Sequence, residues 1–157
     1  MAQLAAGNRA PAFTLTDQHG KKVKLSDFKG KKVVVYFYPK ADTPGCTTQS
    51  CALRDAEPDL KKLKSVVLGI SPDPVKAVKK FHEGQGLNFT LLADEDHAVC
   101  DRYGTWVEKS MYGRTYWGAQ RSTFIIDGDG TVVHVIEKAS PKTHATDVLA
   151  VLEGAGA

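Results

Sequence analysis

No apolar stretch in this sequence approaches the length of a membrane span, and neither an internal repeat nor an interdomain linker appears. The N-terminus lacks the basic region followed by an apolar one that marks a secretory signal, so the expectation is a cytoplasmic or already processed chain with no membrane partner. Cysteine is scarce: there are three, which cannot all pair within one chain and do not resemble the framework of a small disulfide-stapled scaffold. No C-x-x-C pair occurs, and the five histidines (His19, His82, His97, His134 and His144) have no metal-ligand spacing with a cysteine pair. They read as core or surface residues. In a reducing compartment, the close pair Cys46 and Cys51 is better suited to redox chemistry than to structure.

Charge is equally unremarkable. Lys and Arg number 21 against 18 Asp and Glu, and the basic runs at Lys21-Lys22, Lys29 to Lys32 and Lys61 to Lys64 are short, with no interleaved aromatic residues. They read as solvated faces, not as a nucleic-acid surface. With 157 residues, 42% of them hydrophobic and 25% charged, the chain fits one globular domain over residues 1–157 with a substantial core.

The chemistry concentrates in Pro39-Lys40-Ala41-Asp42-Thr43-Pro44-Gly45-Cys46-Thr47-Thr48-Gln49-Ser50-Cys51. This stretch follows an apolar run, Val33 to Tyr38, that reads as a buried strand. Thr43 precedes a proline and is therefore biased out of the helical region, where threonine makes a good N-cap. Pro44 then falls at the first helical position, where its missing N–H costs nothing. Cys46 becomes the third helical residue, among backbone N–H groups without acceptors and at the positive end of the helix dipole. Both effects favour a thiolate, the nucleophilic form of cysteine.

The rest of the chain alternates strands and helices. Phe13–Thr16 and Lys22–Ser26 flank a turn at Gly20 and predict an N-terminal hairpin. A helix from Pro44 should end or kink near Ala56, ahead of Pro58, and resume over Asp59–Leu63. Ser65–Ser71 has the continuous apolar pattern of a strand buried on both faces. Val75, Val78, Phe81 and His82 recur at helical spacing up to Gly84 or Gly86. Phe89–Ala93 reads as a strand and Asp96–Tyr103 as a short helix. Residues 104–120, rich in glycine and aromatics without a clean period, read as a loop packed on the core. Ser122–Ile126 and Thr131–Ile136 flank Asp127-Gly128-Asp129-Gly130 as a hairpin, that loop being too short for a calcium site. Ser140-Pro141 should cap a final helix. This order describes an α/β protein with a mixed β-sheet flanked by helices on both faces, which a thioredoxin-like fold satisfies.

Pro39, Thr43 and Cys46 in the pattern P-x-x-x-T-x-x-C, Cys51 five residues on, Arg121 in Arg121-Ser122-Thr123-Phe124-Ile125-Ile126-Asp127, and the N-terminal Gly7 to Phe13 together resemble the peroxiredoxins of the bacterioferritin comigratory protein, or peroxiredoxin Q, group. The resemblance covers nearly the whole chain. It implies thiol-dependent reduction of hydrogen peroxide or organic hydroperoxides with no metal or organic cofactor, a monomer, and a thioredoxin or glutaredoxin as reductant. It further implies that Cys46 is the peroxidatic cysteine and Cys51 the resolving one, that Thr43 and Arg121 orient peroxide and activate the thiolate, and that Pro39 shields the site from water. The chemistry of the side chains agrees: charge developing on the departing peroxide oxygen is met by a guanidinium, a hydroxyl and free N–H groups.

If Cys51 resolves Cys46, the helix between them cannot stay intact. Five residues of ideal helix put the two Cα atoms about 8.6 Å apart, whereas a disulfide needs them within about 7 Å. The first turns should therefore unwind on oxidation, and Gly45, a weak helix former, eases this. Two rival readings remain: a protein disulfide oxidoreductase on the same fold, which would normally carry C-x-x-C, and a thiol or metal-binding module using Cys46, Cys51 and a histidine. Cys100 has no counterpart in the motif and reads as a small core residue. Trp106, Tyr112, Tyr116 and Trp117 read as packing residues or as an apolar patch near Cys46.

Overall fold

The computed structural model describes residues 4–41 and 43–155. Asp42, part of the motif loop, lies outside the described residues. Strands β1 (Thr14–Asp17) and β2 (Lys22–Lys24) form the expected N-terminal hairpin, and a 3-10 turn at Leu25–Phe28 leads to β3 (Lys32–Phe37). Helices α1 (Pro44–Asp55) and α2 (Glu57–Lys62) follow, broken at Ala56 where Pro58 was expected to interrupt the helix. Next come β4 (Ser65–Ser71), α3 (Val75–Gly84), β5 (Thr90–Ala93) and the short α4 (Ala98–Arg102). The chain continues as β6 (Trp106–Met111), β7 (Arg114–Ala119), β8 (Ser122–Ile126), β9 (Val132–Ile136) and α5 (His144–Ala155).

The described residues form a seven-stranded sheet in the order β2-β1-β5-β4-β3-β8-β9. Strands β3, β4 and β5 run parallel, while β8 lies antiparallel to β3 and β9 antiparallel to β8. Alternation along β3 divides the core. Val34, Tyr36 and Tyr38 pack with Leu53, Leu60, Phe81, Val148 and Leu152 on one face, so that α1, α2, α3 and α5 share it. Val33, Val35 and Phe37 pack with Phe13, Val99, Cys100 and Tyr103 on the other, where α4 and the Leu25–Phe28 3-10 turn lie. Helices do flank both faces, but unequally. No helix among the described residues is long and apolar enough to cross a membrane.

Two expectations need correction. Residues 104–120 are not a loop: β6 and β7 pair antiparallel from Trp106↔Ala119 to Met111↔Arg114, as a two-stranded sheet of their own. The connecting pair Tyr112 and Gly113 has φ of 53° and 77°, the left-handed geometry of a tight hairpin turn. The final helix also starts later than Ser140-Pro141 suggested. Thr143 and His144 donate their backbone N–H groups to the Ser140 carbonyl in a turn, and regular helix begins at His144.

Glycine sets one contact beneath α1. A Cβ at Gly69 on β4 would lie 2.8 Å from the Tyr36 ring and from Leu91, so the ring can lie across β4 only because that side chain is absent. The Tyr36 hydroxyl then makes a 2.8 Å hydrogen bond with Ser50 Oγ on the underside of α1.

Candidate active site

The loop between β3 and α1 is held at both ends. Tyr38 N–H donates to the Ile70 carbonyl, continuing the β3–β4 pairing, and Ala41 N–H donates to the Asp73 carboxylate at 2.8 Å. Asp73, in the Pro72-Asp73-Pro74 stretch that ends β4, thus fixes the entry to α1. Pro39 sits half-buried at the start of this loop.

Thr43 occupies the N-cap with extended geometry (φ −88°, ψ 153°), and its carbonyl accepts from Thr47 N–H at 2.9 Å. Its side chain does not cap the helix in the usual sense. The hydroxyl instead donates to the Lys40 carbonyl at 2.8 Å, so the helical N–H groups near Cys46 are not taken by it. The hydroxyl oxygen keeps its lone pairs for an incoming O–H donor.

Cys46 is fully buried in the third helical position. Arg121, between β7 and β8, donates Nη1–H to its sulfur at 3.4 Å and to Gln49 Oε1 at 2.7 Å. Gln49 lies one turn along α1, is fully buried, and escaped the sequence reading because glutamine carries no signature of its own. A residue at the i+3 position that can accept from a guanidinium was the available signal. Gly45 is the other unforeseen element. A Cβ there would sit 3.1 Å from Arg121 Nη2 and 3.6 Å from Pro141 Cγ, so glycine makes room for the guanidinium against the first turn.

The arginine is anchored from behind. Its carbonyl accepts from Ala139 N–H at 2.7 Å, and two residues on, Thr123 Oγ1 pairs with His144 Nε2 at 2.6 Å. His144 is completely buried; burial drives its pKa down to about 4, with Asp147 opposing and Arg121 adding to the fall.

Cys51 lies farther along the same helix, half-buried, with its thiol donating to Gln85 Oε1 at 3.5 Å. All three cysteines are free thiols. Both Cys46 and Cys51 fall within continuous α-helix, which keeps them beyond disulfide reach. Cys100 belongs to the core cluster on the opposite face of the sheet, where burial and then the Asp94 carboxylate push its thiol pKa well up. It is a packed core residue, as expected. No cluster of three or more His, Cys, Asp or Glu side chains placed to hold a metal ion occurs among the described residues.

A buried cysteine at a helix start, opposed by an arginine on a thioredoxin-like scaffold, suits thiol chemistry, and the proteins this chain resembles make the class a thiol-dependent peroxidase. The chain belongs to the AhpC/TSA family, whose profile matches residues 6–135, and is a peroxiredoxin of its Bcp group. It is 55% identical to the putative peroxiredoxin bcp of Haemophilus influenzae over 92% of this chain and 93% of that protein. It is 52% identical to peroxiredoxin Bcp of Escherichia coli K12 over 95% and 96% of the two. Among solved structures, the bacterioferritin comigratory protein of Xanthomonas campestris, studied for its alkyl peroxide reduction activity in trapped intermediate and ligand complexes, matches with a TM-score of 0.88. Its identity is 36% over 92% of each chain.

Proposed function

We propose that this peroxiredoxin reduces hydrogen peroxide and organic hydroperoxides through Cys46, with Cys51 as the resolving thiol and a thioredoxin- or glutaredoxin-type dithiol as the final electron donor. The Cys46 thiolate attacks one peroxide oxygen; the O–O bond breaks, Cys46 becomes a sulfenic acid, and the departing hydroxide or alkoxide takes up a proton. Thr43 and Arg121 orient the peroxide and meet the developing charge, and Pro39 limits water access. The Cys51 thiol then condenses with the sulfenic acid, releasing water and forming a disulfide. The donor dithiol reduces that disulfide and leaves as its own disulfide.

The observation that carries this reading is the 3.4 Å approach of Arg121 Nη1 to Cys46 Sγ at the first turn of α1. The continuous helix from Cys46 to Cys51 supports the requirement for unwinding before resolution. The resemblance to the peroxiredoxin Q group is what supports reading it as a monomer, and the close cysteine pair suits a reducing compartment such as the cytoplasm.

Peroxide-dependent oxidation of a thioredoxin-type donor by wild type, Cys46→Ser and Cys51→Ser tests the scheme. Cys46→Ser should be inactive and Cys51→Ser should stall after sulfenic acid formation. Full turnover by Cys46→Ser contradicts the assignment of the peroxidatic thiol, and normal turnover by Cys51→Ser contradicts the assignment of the resolving thiol.

A further inference from the structure

The β6–β7 hairpin joins the core only at its base, through Trp106 and Ala119. Lys109, near the middle of β6, crosses to β7: its Nζ donates to the Ala119 carbonyl at 2.6 Å. Its stem runs over Gly118, where a Cβ would lie 3.6 Å from both Cδ and Cε. Ala119 ends β7, and Arg121 follows two residues later. Lys109 and Arg121 line the same open cavity of about 540 Å³, together with Tyr116, Gln120 and Lys138. One of the carboxylates of the molecule, that of Glu108, also lines this cavity. The ammonium is half-buried, and its pKa lies below the ordinary lysine range through burial and the Arg121 charge, with the Cys46 sulfur acting in the opposite sense. It therefore stands next to Arg121, whose guanidinium contacts the Cys46 sulfur.

We infer that Lys109 is a positioning residue of the peroxidase site. It ties the end of β7 so that the chain enters Arg121 in a fixed course, and it places a second positive charge in the cavity lined by Arg121, the residue whose guanidinium contacts Cys46. The geometry accounts for the residue types around it. Only an unbranched stem can lie flat over Gly118, and only a donor can reach the Ala119 carbonyl. A half-buried cation that satisfies a single carbonyl retains charge that acts on its surroundings, and in a partly desolvated site that charge is poorly screened.

This inference rests on Cys46 being the attacking sulfur, and the test separates the two claims. In a Cys51→Ser background, alkylation of Cys46 is measured with neutral iodoacetamide and anionic iodoacetate, beside a Cys46→Ser control. Lys109→Met, which keeps the stem, and Lys109→Gln are compared with Lys109→Arg, with near-ultraviolet circular dichroism checking the fold. Removing the charge should lower the iodoacetate-to-iodoacetamide rate ratio about three- to fivefold, and Lys109→Arg should restore it. An equal slowing with both reagents means a purely structural lysine and overturns the inference, as does an unchanged ratio in whichever neutral variant folds. Alkylation that continues at an undiminished rate in the Cys46→Ser control would overturn the attacking-sulfur assignment and the inference with it.

Discussion

The guanidinium of Arg121 and the sulfur of Cys46 lie 3.4 Å apart across 75 residues of chain. The contact joins the first turn of α1 to the segment between β7 and β8, and the same Nη1 also reaches Gln49 Oε1. One guanidinium nitrogen therefore serves a sulfur and an amide oxygen one helical turn apart. Lysine, with a shorter stem and a strongly hydrated charge in place of a planar guanidinium, holds that nitrogen less firmly at the site. Arg121→Lys should lower the second-order rate constant for peroxide about 10²–10³-fold, the range seen when a charge-stabilising donor is lost. Stopped-flow oxidation of Cys46 with hydrogen peroxide measures it.

Gly45→Ala separates stability from activity. Alanine is the better helix former by about 1 kcal/mol, but its Cβ would stand 3.1 Å from Arg121 Nη2. The far end of the arginine must yield. Thermal unfolding should show a stability equal to or above wild type, while the peroxide rate constant falls about tenfold through misplacement of the guanidinium.

Gln49 should matter through Arg121 and not through the core. Gln49→Leu keeps the volume but removes the acceptor, leaving the guanidinium one partner short. Peroxide reactivity should fall about tenfold, and Gln49→Glu, which retains an acceptor, should fall less. The same stopped-flow assay ranks the two.

His144 makes stability pH-dependent. Its folded pKa is about 4, lowered chiefly by burial, against about 6.5 in the unfolded chain. The unfolded state thus binds the extra proton between these values. Stability from this residue is present above pH 6.5 and is lost as pH falls towards 4, by at most about 3 kcal/mol. Urea unfolding of wild type should show this slope, and His144→Asn should flatten it.

Much of the scaffold was legible because buried strands carry their own pattern. The apolar runs of β3 and β4 read as buried strands, and Thr43-Pro44 and Pro58 marked where α1 starts and where it breaks. Cys46 and Arg121 were legible through the motif, and the structure brings them together. The β6–β7 hairpin was not, because most of β7 is exposed and Trp117 (58%) and Tyr112 (97%) face solvent. Without a buried face there is no alternation to read, and a Tyr112-Gly113 turn lacks the usual asparagine or aspartate signal. Gln49 and Lys109 were hidden for a related reason: their importance lies in partners that are distant in sequence or across a hairpin, and nothing local to them announces it.

The central claim is that the start of α1 is folded when Cys46 meets peroxide and unfolded when it meets Cys51. Hydrogen exchange on reduced protein and on protein treated with one equivalent of peroxide, with the Cys46–Cys51 disulfide verified by peptide mapping, tests it most directly. Amide protection across residues 45–51 should be lost in the disulfide form while that of β3 is retained. Unchanged protection of this helix in a verified Cys46–Cys51 disulfide would contradict the account.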